Sequence, residues 1–230
     1  NFRRAMRKVD AEWGDDWWFQ VWGPEEICEE GIGSQDDWIL RGGDDNWHGF
    51  GNLAEGFNML DPIKATVVTP GLNVKGHFAE SGIPASIVTR YLAEHGVIVE
   101  KTGLYSFFIM FTIGITKGRW NTLLTALQQF KDDYDKNQPL WRALPEFVQA
   151  HPRYEKTGLR ELCDAIHGIY RANDIGRLTT EMYMSNLEPA MKPADAFARM
   201  AHREIERVEI DDLEGRVTSA LVTPYPPGIP

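Results

Sequence analysis

Cysteine and histidine are scarce in this chain, long apolar runs are absent, and positive charge is in deficit. Cys28 and Cys163 are the only two cysteines among 230 residues. Two cysteines so far apart build neither a disulfide framework nor a Cys-x-x-Cys metal site, so a reducing compartment is expected. The 6 histidines never fall in a His-x-x-x-His spacing, and no metal is expected. A Gly-x-Ser-x-Gly elbow and a Walker loop are both missing, and Gly71 to Gly76 reads as a loop rather than a phosphate fingerprint. The most apolar stretch, Leu104 to Ile115, is about a dozen residues, too short to cross a bilayer. No signal-peptide pattern opens the chain. Asn1 runs straight into Phe2-Arg3-Arg4-Ala5-Met6, which reads like mid-helix sequence and is the start expected of a piece of something longer. The formal net charge is −10. There is no basic stripe for a nucleic acid, whereas a negative field tolerates cationic substrates.

What is present is an ordinary globular composition, 43% apolar and 25% charged, with one local excess. Trp13, Trp17, Trp18, Trp22, Trp38 and Trp47 crowd the first sixty positions, among acidic and glycine-rich pieces. This predicts a short helix followed by loops and short strands anchored by large rings, a segment that must pack on something else.

From residue 61 the pattern clears. Ile63 to Thr69 reads as a strand stopped by Pro70-Gly71. Pro84 fits the first turn of a helix to about His95, with Ile87, Val88, Tyr91 and Leu92 at helical spacing and Gly96 as its stop. Val97-Ile98-Val99 and Tyr105 to Ile113 read as further strands. Trp120, Leu123, Leu124, Leu127, Phe130, Lys131 and Tyr134 mark a long helix. Strands alternating with helices predict a mixed sheet with covering helices, an α/β (α+β) fold. Residues 138 to 204 read as mainly helical, with a stripe at Leu159, Leu162, Ile166, Ile169 and Tyr170. Val208 to Ile210 and Val217 to Val222 are candidate strands, and Pro224 to Pro230 is extended.

Several stretches, in order, resemble the bacterial ornithine/lysine/arginine decarboxylases, nearest to the lysine and arginine types. They are Trp47-His48-Gly49-Phe50 with Leu60-Asp61-Pro62-Ile63-Lys64; Gly82-Ile83-Pro84-Ala85-Ser86-Ile87-Val88 with Tyr91-Leu92 and His95-Gly96; Val99-Glu100-Lys101-Thr102-Gly103 with Phe111-Thr112-Ile113-Gly114-Ile115; Leu127 with Phe130-Lys131 and Tyr134-Asp135; and Gly215-Arg216-Val217 leading into Pro224 to Pro230.

The resemblance implies the C-terminal portion of a fold-type-I enzyme dependent on pyridoxal 5'-phosphate. Residues 1–60 would be the link from the cofactor-binding large domain, 61–137 the small domain, and 138–230 the family's C-terminal domain, cut short at its end. It implies a cytoplasmic parent, at least a homodimer and in some relatives a larger ring, that turns lysine into cadaverine and carbon dioxide. Ornithine and arginine are the alternative substrates. A rival reading from another class is a non-catalytic oligomerisation or regulatory module. The family's Ser-x-His-Lys motif is missing, since none of the nine lysines follows a histidine. No catalytic or cofactor-binding residue is therefore assigned, and this chain alone is expected to be inactive.

Three residues are candidate substrate contacts by resemblance. Glu100 matches a glutamate that reaches the distal amine of a diamino acid; its plainer reading is a strand-end partner of Lys101 in a surface ion pair. Thr102, with Gly103, sits on an expected turn and could shape the pocket. Tyr225, in its proline frame, could line the entrance or simply pack. His48 is expected to be a packed, hydrogen-bonded residue, His95 a helix-end residue, and Arg216 an ion-pair or capping residue.

Overall fold

The computed structural model describes residues 1–23, 35–42, 48, 50, 53, 58–184, 190–212 and 215–217. The chain divides into two compact units, Asn1–Gly176 and Arg177–Pro230.

The first unit is built on four strands: β1 (Gln20–Val21), β2 (Lys64–Val68), β3 (Lys101–Thr102) and β4 (Ser106–Met110). Their order across the sheet is β1-β2-β4-β3, and every pairing is antiparallel. A mixed sheet was the expectation, and the reason for the difference is topological. A helix, α2 (Ala85–Glu94), crosses from β2 to β3. These two strands therefore run parallel, as a strand-helix-strand crossover requires. They do not touch, because β4 folds back from β3 and slots between them.

Helix α2 follows the sequence pattern closely. Ile87, Val88, Tyr91 and Leu92 are buried on one face. Its end is a Schellman motif. Gly96 has φ 77°, its N–H donates to the Ala93 carbonyl (3.0 Å), and the Val97 N–H donates to the Leu92 carbonyl (2.9 Å). This cap explains why the expected strand Val97–Val99 does not form. The Val97 amide is used by the helix end, and Ile98 is left 80% exposed.

Helix α1 (Phe2–Trp13) and the residues just after it, Trp17 to Phe19, pack on the same core. Phe2, Met6, Trp17 and Phe19 are buried there. Arg3 binds this segment to the sheet, donating to the carbonyls of Trp22 (2.8 Å) and Lys64 (2.9 Å). Helix α3 (Lys117–Asp135) buries Leu123, Leu124, Leu127 and Phe130. Phe19, Phe130 and Tyr91 form a chain of edge-to-face rings at 5.9 and 5.2 Å, an arrangement that adds to simple burial. The Tyr91 hydroxyl also donates to Asp133 at 2.8 Å, joining α2 to α3.

Short helices α4 (Leu140–Ala143) and α5 (Pro145–Ala150) lead to α6 (Leu159–Ala172). The start of α6 has a glycine at its cap, so the capping groups come from elsewhere. Glu161 reaches back to the Gly158 N–H (2.9 Å), and Asn137 Oδ1 accepts from the Arg160 N–H (2.9 Å). The buried line of α6 is Leu159, Cys163 and His167. Ile169, expected in the apolar stripe, is 59% exposed.

In the second unit, the described residues include most of helix α7 (Ile175–Met184, which begins in the first unit) and α8 (Pro193–Ala201). Val208 to Ile210 is not a strand. A 3-10 turn occupies Ile210–Asp212, closed by the Asp212 N–H on the Glu209 carbonyl at 3.0 Å. The candidate strand Val217 to Val222 lies outside the described residues apart from Val217, which is 75% exposed.

Candidate functional site

The β3–β4 hairpin carries the candidate residues. Thr102 pairs with Phe107 and Lys101 with Phe108. The Glu100 N–H also donates to the Phe108 carbonyl, at 2.9 Å. Two consecutive residues, Glu100 and Lys101, thus address a single residue of β4, which is the pattern of a β-bulge. A bulge breaks the alternation of side chains and re-aims one of them. Glu100 sits at this break with its side chain exposed. Thr102 is half-buried, and its hydroxyl donates to the Thr89 hydroxyl on α2 at 3.2 Å. Tyr225 lies outside the described residues, as do Trp47 and Cys28.

The turn of the hairpin is held from three sides. The Gly103 N–H donates to the Ser106 carbonyl (2.7 Å), the Ala85 N–H to the Leu104 carbonyl (2.8 Å), and the Thr69 N–H to the Tyr105 carbonyl (2.9 Å). The Thr69 hydroxyl in turn donates to the Ile83 carbonyl at 2.6 Å. The strand β2, the start of α2 and the hairpin are thereby locked to one another just behind Glu100 and Thr102.

A buried pair extends this lock to α6. The Tyr105 hydroxyl and His167 Nδ1 lie 2.6 Å apart, and His167 Nε2 is 3.0 Å from the Ala79 carbonyl. A carbonyl only accepts, so Nε2 carries the proton, and in the neutral ring Nδ1 accepts from the tyrosine hydroxyl. Tyr105 and His167 are 4% and 2% exposed. Burial, with smaller contributions from Tyr170 and Cys163, pushes the Tyr105 phenol up to about 12. Sequence reasoning missed this pair, although Leu159, Cys163 and His167 stand four residues apart on one helix face, the signal that would have found it.

The other singled-out residues have local roles. His48 is buried, with Nε2 at 2.9 Å from the Arg41 carbonyl and Nδ1 accepting from the Phe50 N–H at 3.0 Å. His95 stacks on Tyr91 at 4.1 Å and has its Nδ1 2.8 Å from the Tyr91 carbonyl, at the end of α2. Arg216 pairs with Glu206 at 3.4 Å on the surface. The Cys163 thiol is buried, which raises its pKa and leaves it unreactive.

The described residues do not fit pyridoxal phosphate. Its seat requires a lysine free to form an imine beside a phosphate cradle. The lysine buried here, Lys131, is ion-paired to Asp135 and lies 4.5 Å over the Trp18 ring. No lysine lines the described cavities, the roomiest of which, about 310 Å³, is walled by residues such as Phe2, Arg4, Trp38, Phe111 and Trp120. Among the described residues no cluster of ligands could hold a metal ion, and no helix is long and apolar enough to cross a membrane.

A family model described as Orn/Lys/Arg decarboxylase, major domain, matches residues 1–119, and one described as Orn/Lys/Arg decarboxylase, C-terminal domain, matches residues 176–230. Lysine decarboxylase LdcA of Pseudomonas aeruginosa is 48% identical over 232 residues, covering 100% of this chain and 31% of its own. The biodegradative arginine decarboxylase of Escherichia coli is 33% identical over 248 residues, covering 100% of this chain and 33% of its own. Among solved structures, lysine decarboxylase A from Pseudomonas aeruginosa superimposes with a TM-score of 0.87 at 47% identity, over 100% of this chain and 31% of that one. The chain thus spans about a third of the length of the curated relatives it matches.

Proposed function

We propose, from the premise that this chain belongs to the Orn/Lys/Arg decarboxylase family, that its parent removes the carboxylate of a basic amino acid, with lysine as the substrate. The observation that carries the reading is the 48% identity, along the whole chain, to a lysine decarboxylase. Relatives acting on arginine and ornithine match at 33% each. Pyridoxal phosphate belongs to the proposal as the group that supplies the electron sink. Its seat would lie in the portion of the relatives that this chain does not span.

What this chain contributes, on this reading, is the recognition of the far end of the substrate. Glu100 presents an exposed carboxylate at a bulged strand end. A carboxylate there accepts a charge-assisted hydrogen bond from the distal ammonium of a diamino acid. The bulge fixes the direction of the side chain, so the length of the substrate is measured against a rigid backbone. Thr102, held to Thr89, shapes the floor beside it, and Tyr225 would line the entrance. The division into a link (1–60), a small domain (61–137) and a C-terminal domain (138–230), a homodimeric or larger assembly, and a cytoplasmic location are parts of the same proposal.

The test is Glu100→Gln in the full-length parent. A hydrogen bond to a charged group contributes about 1.5–3 kcal/mol. The variant should therefore lose roughly 10- to 150-fold in kcat/KM for lysine, while its cofactor absorbance stays that of the parent. Normal turnover of lysine by this variant would remove Glu100 from the substrate site.

A further inference from the structure

We infer that Tyr105 and His167 form a latch that positions the β3–β4 hairpin, making His167, on helix α6 and far from Glu100 in sequence, a positioning residue for substrate discrimination. The inference rests on the reading of Glu100 given above.

The latch is a built feature. It joins α6 to the hairpin turn through a 2.6 Å contact between two side chains that are each at least nine-tenths buried. Two glycines make room for it. A Cβ on Gly82 would fall 2.4 Å from His167 Nδ1, and a Cβ on Gly71 would fall 2.3 Å from the Tyr105 ring. Gly71 also has φ 133°, a backbone conformation that side chains disfavour. The other ring nitrogen holds the Ala79 carbonyl, and Arg171 on the same helix donates to the neighbouring Glu80 carbonyl at 3.2 Å. The loop between β2 and α2 is therefore gripped by α6 at both ends of its last turn. The mechanical path is short. His167 holds the Tyr105 hydroxyl, Tyr105 closes the turn, and Thr102 and Glu100 lie on the strand that enters the turn.

Without the hydroxyl the hairpin keeps its core contacts and loses its tether to α6. The consequence is a small displacement of Glu100. A site that gauges chain length by one carboxylate is sensitive to such a shift, whereas general stability is not. The latch accordingly controls the preference between diamino acids that differ by one methylene.

The experiment uses the full-length parent and the variants Tyr105→Phe, which removes the hydroxyl alone, and His167→Asn, whose side-chain oxygen can still accept near the Nδ1 position. Two readouts are taken. The first, without substrate, is hydrogen exchange at the amides of Thr69, Ala85 and Gly103, which report the three bonds of the turn. The second is the ratio of kcat/KM for lysine over ornithine, with Glu100→Gln run alongside. The expected result is exchange about tenfold faster or more and a ratio several-fold lower in Tyr105→Phe, both partly restored in His167→Asn. Unchanged exchange in Tyr105→Phe overturns the latch. Faster exchange with an unchanged ratio overturns the positioning role. In that case Glu100→Gln tells which idea has failed. If it alters the ratio, Glu100 stands and the latch does not reach it; if it does not, the reading of Glu100 has failed first.

Discussion

Glu94 should be worth more to the stability of the first unit than any surface ion pair, although it stands on an outward turn of α2. Its side chain is only 3% exposed. One carboxylate oxygen accepts from the Glu146 N–H at 3.0 Å, and the other accepts from the Phe147 N–H at 2.9 Å. These are the donors that the start of α5 leaves over. Pro145 at its first position has no N–H, and Leu144 at the cap offers no side-chain acceptor. The last turn of α2 therefore caps α5 across separations of 52 and 53 residues in sequence. Each bond to a charged acceptor contributes about 1.5–3 kcal/mol. Water can reach Glu146 once the carboxylate is gone, so Glu94→Ala should cost about 2–4 kcal/mol rather than the full sum. Glu94→Gln keeps one acceptor and turns an amide toward the other donor, and should cost about half as much. The competing explanation is the Arg90 pair, at 3.2 Å with the arginine 46% exposed. Such a pair is worth at most about 0.5 kcal/mol, which Arg90→Ala measures directly. Urea unfolding of the three variants gives the free energies, and hydrogen exchange at the amides of Glu146 and Phe147 localises the loss. A Glu94→Ala cost below about 0.5 kcal/mol, or one matched by Arg90→Ala, would refute the capping argument.

Two further outcomes follow from burial. Leu127 is fully buried on α3, so Leu127→Ala should cost about 2–5 kcal/mol and lower Tm by roughly 4 °C or more; a loss under 1 kcal/mol would mean the core relaxes around it. Burial raises both Tyr105 and Tyr134 from an ordinary 10 to about 12. A raised folded value means the folded state holds the proton longer, so stability is complete below pH 10 and falls as pH climbs from about 10 to about 12. Tyrosinate absorbance of folded and urea-unfolded protein, titrated side by side, checks this, and full ionisation of both rings near pH 10 in the folded state would contradict it.

Helices α2 and α3 were legible because their burial is carried by apolar residues at helical spacing. Ile87, Val88, Tyr91 and Leu92 lie on one face of α2, and Leu123, Leu124, Leu127 and Phe130 on one face of α3. The strand β2 was legible for the corresponding reason, a β-branched run stopped by Pro70-Gly71. The edge strand was misplaced because a helix cap took the Val97 amide, and a cap of this kind depends on Gly96 adopting a positive φ that competes with strand formation. The bulge at Glu100 could not be read at all, since it is a relation between two strands rather than a pattern within one. Glu100 itself is proposed through resemblance, not through spacing. His167 was overlooked because counting apolar residues passes over a polar side chain that is buried by its partners.

The interposition of β4 between β2 and β3 fixes an order of events. As the chain is synthesised, β2, α2 and β3 are all available before the strand that must join them. Until Ser106–Met110 emerges, the inner edge of β2 offers a row of unpaired amides and carbonyls to any other strand nearby. The nascent unit is therefore most exposed to misassociation in the interval between the completion of α2 and the arrival of β4, and a fragment that stops within that interval has no centre to its sheet.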